Sequence, residues 1–512
     1  MAHGFNGFRP MNTDFFKKHI NKSVQPASSV CQSQQYEMKN LNNIRQAILL
    51  SICALTFANA QITSDENYRK PVSETLKKIE TIFHVTINDD RGLLKGKELD
   101  YADWRIEPGN LPISLTNILA PFELMYFKQP DGTYIIRKYE NHKVSVDKGK
   151  ERLDYLKSLY STKEDWEKRK TELKACMITS FGLDKAPPTP KSKPLLTPKR
   201  IYKDYSVENI GLEILPGVYV TGSIYKPYPF NKKTPVILTP DGHFGDGRYR
   251  KDEQYRCAIM AKMGAIVVSY DLFAWGESLL QFPEQTHRNS IASTVQVLSG
   301  IRLLDYLSTQ KNVDMSHVGV TGGSGGGSHT MFLAAIDDRI TVSAPVVMVS
   351  SHFSGGCPCE SGRGIHLCGN GTNNAEISAM MAPKPQLIVS DGKDWTLAVP
   401  ELEFPFIQRT YELYGKKDLV ENAHFAKEGH DFGVSKRMAL YPFMAKYLGL
   451  DLNKVKNGKG EIDESTCVIE PYDKLYVFGN KAENLPKNAL KDIDKLYEMF
   501  GEKNNKIYEV KK

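Results

Sequence analysis

Five residues constrain this 512-residue chain more than any others: Gly322, Gly323, Ser324, Gly325 and Gly326. The run before them, Ser316-His-Val-Gly-Val-Thr-Gly, reads as a short buried strand. The run after them, Ser328-His-Thr-Met-Phe-Leu-Ala-Ala-Ile, reads as an apolar helix. A serine between glycines at a strand-to-helix junction needs a turn too sharp for neighbouring side chains. Such a turn lifts the Ser324 hydroxyl above the sheet edge and aims the Gly325 N–H at whatever approaches it. Without the flanking strand and helix, the same letters would read as a flexible glycine loop.

The pattern around the turn predicts a layered α/β architecture. Apolar strand candidates lie at Val218–Ile224, Pro235–Leu238, Ala265–Tyr270, His317–Thr321, Val342–Val349, Gln386–Ser390 and Asn422–Ala426. Helical segments separate the later ones, as in a mostly parallel sheet covered on both faces, and with the serine turn this predicts an α/β-hydrolase fold over residues 201–452. Upstream, residues 61–142 predict a small α+β domain. Its helix candidates are Val72–Phe83 and Leu111–Leu119, its strand candidate is His84–Asn88, and a hairpin turns at Asp131-Gly132. Residues 143–200 predict a helical linker ending in proline- and lysine-rich sequence, and 453–512 a polar C-terminal extension wrapping the surface.

Charge excludes one class of partner. The formal charge is +7, and residues 1–60 carry +4 of it, so the rest lacks the basic stripe of a nucleic-acid binder. From Met38 the chain shows a basic start, an apolar run from Ala47 to Phe57 and an Ala58-Asn-Ala60 exit. This predicts an export signal over 38–60. It places the natural start at Met38, leaves 1–37 outside the mature protein, and predicts a periplasmic, cell-surface or secreted location. No later run approaches the ~18 apolar residues of a membrane span. Export permits disulfides, and the clustered Cys357, Cys359 and Cys368 suggest a local bridge. Those cysteines with His366 also raise zinc, but they lack the paired spacing of structural zinc sites, so neither metal nor cofactor is expected.

A serine hydroxyl needs a base within hydrogen-bond reach and a third group to hold that base. In this fold the chain order is serine, acid, histidine. His430, in Glu428-Gly-His-Asp-Phe-Gly after the last strand candidate, is the expected base; His424 falls in that strand and His329 in the helix behind the serine. Asp394, in Asp391-Gly-Lys-Asp-Trp, is the expected acid. Glu360 is the alternative and Asp391 reads as a turn former. The Gly325 amide and that of His243 or Phe244, in Pro240-Asp-Gly-His-Phe-Gly, are the expected oxyanion donors. Trp275, Trp395 and Phe353 are candidates to stack on a sugar ring.

The segment 201–452 resembles the bacterial α/β-hydrolase carbohydrate esterases of the acetylxylan-esterase-like and pectin-methylesterase-like group. The likeness rests on Asp241-Gly-His, Gly322 to Ser328, Ala335-Ile-Asp-Asp-Arg-Ile, Gly355-Gly-Cys-Pro-Cys-Glu, Lys393-Asp-Trp-Thr and Glu428-Gly-His-Asp. It implies a metal-free serine esterase that removes acetyl or methyl-uronate esters from a plant polysaccharide or oligosaccharide. Related glucuronoyl esterases carry arginine directly after the serine and can take their acid from a Glu-Ser-Gly like that at Glu360; here Gly325 follows Ser324. Residues 61–142 resemble the short N-terminal domain of secretins and outer-membrane receptors, which implies an envelope protein partner. The alternatives are an exported serine peptidase of the prolyl-oligopeptidase type and a non-catalytic sugar-binding module.

Overall fold

A computed structural model describes residues 69–119, 122, 124–138 and 143–502; the expected export signal and the residues before it lie outside the described residues. The described residues belong to one compact unit. Its strands, in chain order, are β1 (Lys70–Pro71), β2 (Ile87–Asn88), β3 (Glu98–Leu99), β4 (Leu124–Lys128), β5 (Tyr134–Lys138), β6 (Leu195–Leu196), β7 (Arg200–Tyr202), β8 (Tyr205–Leu215), β9 (Val218–Pro227), β10 (Thr234–Pro240), β11 (Ile266–Tyr270), β12 (Val313–Gly323), β13 (Val342–Val346), β14 (Gln386–Asp391) and β15 (Val420–Phe425). The helices of eight or more residues are α1 (Val72–Phe83), α2 (Leu111–Leu119), α3 (Val146–Ser158), α4 (Lys163–Ser180), α5 (Lys251–Met263), α6 (Ile291–Ser308), α7 (Gly325–Ile336), α8 (Phe404–Glu412) and α9 (Val434–Leu448).

Ten strands form the main sheet, in the order β15-β14-β13-β12-β10-β11-β9-β8-β6, with β7 also pairing β8. Strands β10 to β15 are mutually parallel. Of these, β11, β13 and β14 are buried along their whole length, as strands covered on both faces are. β9, β8, β7 and β6 continue the sheet antiparallel. This is the α/β-hydrolase arrangement. Strand β8 escapes a hydropathy reading because Asn209 and Glu213 interrupt its apolar run. Both are satisfied: Asn209 donates to the carbonyls of Lys474 and Tyr476, and Glu213 accepts from the Gly217 N–H. A polar residue inside a sheet is tolerated when each of its groups finds a partner.

Those carbonyls belong to the C-terminal extension, so the extension does more than wrap the surface. Leu475 and Phe478 are fully buried, and the N–H groups of Val477 and Phe478 donate to the buried Glu277 carboxylate at 2.8–2.9 Å. The small α+β domain has its own three-stranded sheet, β2-β5-β4, under α1 and α2. It also packs on the hydrolase: Arg105 pairs with Glu284, Arg69 with Asp246 at 2.7 Å, and the Tyr476 hydroxyl donates to Asp100 at 3.1 Å. The helical linker is anchored as firmly. Trp166, Leu173 and Met177 on α4 are fully buried, and Arg169 forks onto the buried Glu376 at 2.5 and 2.8 Å.

One cysteine expectation is corrected here. Cys368 is bridged to Cys176 on α4, 192 residues away, and not to a neighbour in its own loop. That removes Cys368 from any metal set, and His366 is engaged with Asn374 at 2.8 Å. Glycine loops hide such partners because the fold, not chain proximity, decides which sulfurs meet.

Candidate functional site

β12 ends at Gly323 and α7 begins at Gly325, so Ser324 occupies the bend alone, with φ 56° and ψ −124°. A non-glycine residue held there costs about 1–3 kcal/mol and persists only where its surroundings over-determine it. Three backbone bonds do so. The Ser324 N–H donates to Val346 O at 3.0 Å, and its carbonyl accepts from Gly327 at 2.8 Å and Ser328 at 3.1 Å. The flanking glycines are steric requirements. A Cβ on Gly322 would stand 2.4 Å from the Pro240 carbonyl oxygen, and one on Gly326 2.2 Å from the same atom.

His430 lies on the loop between β15 and α9. Its Nε2 is 2.9 Å from Ser324 Oγ and its Nδ1 is 2.7 Å from Asp394 Oδ2. A carboxylate can only accept, so Nδ1 carries the proton and Nε2 presents its lone pair to the serine hydroxyl. Burial pushes the Asp394 carboxyl up, but the hydrogen bond and charge of His430, with donations from Thr396, hold it below the usual carboxylate range. Thr396 places that carboxylate: its N–H and its hydroxyl both donate to Oδ1 at 2.6 Å. Sequence reasoning passed over Thr396, although Asp-x-Thr is the spacing of a side-chain-to-backbone turn.

The other carboxylates are employed differently. Glu360 accepts from the Cys357 N–H at 3.1 Å and from the Ser328 hydroxyl at 3.3 Å, on the loop behind Gly325. Asp391 accepts from the Lys393 N–H at 3.1 Å and lies 3.5 Å from Lys436 Nζ; burial and the charge of Asp394 push its carboxyl up to about 6. His430 Nδ1 is therefore served by Asp394.

The amide of Gly325 opens α7, and a first-turn N–H has no acceptor within its own helix. The backbone of the loop after β10 lies alongside, since a Cβ on Gly242 would be 3.2 Å from the Ser324 Cβ. The His243 side chain fills the space beside Gly325. A Cβ on Gly325 would meet its ring at 2.7 and 2.8 Å. No side chain after the serine fits while His243 stands there.

Of the expected sugar platforms, only one borders the triad. Trp395 packs on His430 with ring centroids 4.3 Å apart and on Phe353 at 4.3 Å, with Lys143 Nζ 5.1 Å from its ring. Trp275 is a correction: it is 2% exposed and packs against His243 and His287, so it cannot offer a face to a ligand. Aromatic residues at the sheet's top edge serve core and surface equally well, and composition does not separate the two.

Among solved structures, this chain is similar to methylesterase BT1017, with 44% identity over 86% of this chain and 97% of that one, at a TM-score of 0.66. The chain belongs to the family of that methylesterase. More distant similarity extends to a glucuronoyl esterase from Solibacter usitatus, 16% identical over 56% of this chain and 93% of that one at a TM-score of 0.41. An acetyl xylan esterase from Paenibacillus sp. R4 is 17% identical over 54% and 95% of the two chains, at a TM-score of 0.40. No family model and no curated protein matches. The likeness to the methylesterase covers nearly all of that relative, and more of this chain than residues 201–452 alone.

Proposed function

We propose that this protein is an exported serine esterase that removes methyl esters from uronate units of plant cell-wall polysaccharide, with Ser324, His430 and Asp394 as its triad. The observation that carries the reading is the unbroken hydrogen-bond relay from Ser324 Oγ through His430 to Asp394, at 2.9 and 2.7 Å. His430 Nε2 takes the Ser324 proton as Oγ attacks the ester carbonyl. The Gly325 N–H and the loop amide at His243 or Phe244 hold the oxyanion. Collapse expels methanol, which leaves with the proton from His430. Water then attacks the acyl-enzyme with His430 again as base, and the uronate leaves as a free acid. Asp394 stays ionised throughout and keeps the imidazole in one tautomer.

Family membership favours a methyl over an acetyl ester, and an esterase over a peptidase or a non-catalytic sugar binder. Trp395 packs on one side of His430, with Phe353 and Lys143 against Trp395 in turn. Phe353 is 3% and Trp395 8% exposed, so these rings form the wall behind His430 and offer no open stacking face. No helix among the described residues is long and apolar enough to cross a membrane. A substrate panel scored for methanol against acetate release, with Ser324→Ala as blank, tests the reading. Methanol from methyl-esterified polyuronate, abolished in the variant, is expected; acetate as the dominant product would overturn the substrate class.

A further inference from the structure

Beside Gly325, four side chains with metal-ligating atoms converge. The ring nitrogens of His243 and His287 and the sulfurs of Cys357 and Cys359 all lie within 4.8 Å of one another. His243 Nε2 is 2.9 Å from His287 Nε2 and 3.3 Å from Cys359 Sγ. A tetrahedral zinc, with Zn–S about 2.3 Å and Zn–N about 2.0–2.1 Å, spaces its ligand atoms about 3.3–3.8 Å apart. The quartet is within a small side-chain adjustment of that figure.

Three further features fit a metal. The His287 Nδ1 is 2.5 Å from the Phe273 carbonyl oxygen, which can only accept, so Nδ1 bears the proton and Nε2 turns its lone pair inward. That is how metal-ligating histidines are commonly oriented. Cys357, Cys359 and His287 are at most 3% exposed, and Trp275 covers both imidazoles at 5.1 and 5.6 Å. Finally, two thiolates and two neutral imidazoles exactly cancel the charge of a divalent ion, so the loaded site would bury no net charge.

We infer that His243, His287, Cys357 and Cys359 form a structural zinc site. On binding, the two thiols release their protons to solvent and four protein atoms close the coordination sphere, leaving no position for substrate. The ion ties together the loop after β10, the turn Glu284–Arg288 and the start of the short helix Pro358–Ser361, segments distant in the chain. Through His243 it anchors the loop whose backbone lies beside Ser324. It is a clamp for the site, with no part in bond making.

Metal analysis of the full chain, purified without metal-affinity resin or chelator, tests this. About one zinc per chain is expected, and the Cys357→Ser, Cys359→Ser double variant should lose it. In wild-type protein, stripping with dipicolinate should lower Tm and expose two further thiols to a thiol reagent, both reversed by zinc alone. Cobalt(II) loaded in place of zinc should show the intense visible bands of a tetrahedral sulfur-ligated ion, a readout that needs no variant to fold. Wild-type protein that takes up neither zinc nor cobalt stoichiometrically would overturn the inference. So would zinc retained by the double variant, or a Cys357–Cys359 disulfide in the native protein. None of these readouts depends on which ester is the substrate.

Discussion

Replacing Asp394 with asparagine exchanges one carboxylate oxygen for NH2, and the structure determines which way the new amide must face. Asp394 Oδ1 accepts from both the N–H and the hydroxyl of Thr396 at 2.6 Å, while Oδ2 accepts from His430 at 2.7 Å. The backbone N–H of Thr396 can only donate, so an amide NH2 turned toward it would leave a buried donor unsatisfied at a cost of about 1–3 kcal/mol. The asparagine therefore keeps its oxygen on Thr396 and presents NH2 to His430. Nδ1 must then accept, the ring proton moves to Nε2, and the atom facing Ser324 becomes a donor. The base is lost although every heavy atom stays in place. We expect kcat to fall ~10⁴-fold, equivalent to about 5.5 kcal/mol. The rate of fluorophosphonate labelling at Ser324 should fall in parallel. Methanol release and labelling measure the two independently, and near-UV circular dichroism checks the fold. A correctly folded Asp394→Asn enzyme within tenfold of wild type would refute the tautomer argument and with it the choice of acid.

The remaining expectations concern packing, charge and pH. Gly325→Ala drives a Cβ into the His243 ring, which is itself held by His287 and Cys359; a loss of about 1–3 kcal/mol in chemical denaturation is expected, and an unchanged midpoint would contradict the contact. Arg169→Met strands the buried Glu376 carboxylate, so stability should drop by about 3–5 kcal/mol, whereas less than ~1 kcal/mol would mean that α4 is not anchored by this pair. The Asp394 carboxyl is held below its unfolded value of 3.8. Its stabilising contribution is therefore complete above that value and disappears as pH falls through the folded one. Relative to Asp394→Asn, the wild-type Tm advantage should shrink as pH drops below about 4; an advantage that grows on acidification would reverse the sign.

Much of this protein was written locally. The serine turn, the parallel strands around it and the loop position of His430 could be read directly, because a bend with no room for Cβ atoms and strands buried on both faces each demand particular residue types over a few positions. The helices and hairpin of the small domain were legible for the same reason: period and turn chemistry are short-range properties. Tertiary structure decided the rest. Strand β8 hides behind Asn209 and Glu213, whose partners include the chain's far C-terminal extension. Cys368 finds Cys176, Asp394 rather than Glu360 accepts the hydrogen bond from His430 Nδ1, and Trp275 turns inward where Trp395 packs on the His430 ring. Cys357 and Cys359 suggested a loop bridge, while the histidines that complete their quartet come from 70 and 114 residues upstream of Cys357. Which distant side chains meet depends on how the sheet orders its strands and how the loops at its top edge converge, and no window of neighbouring residues contains that information.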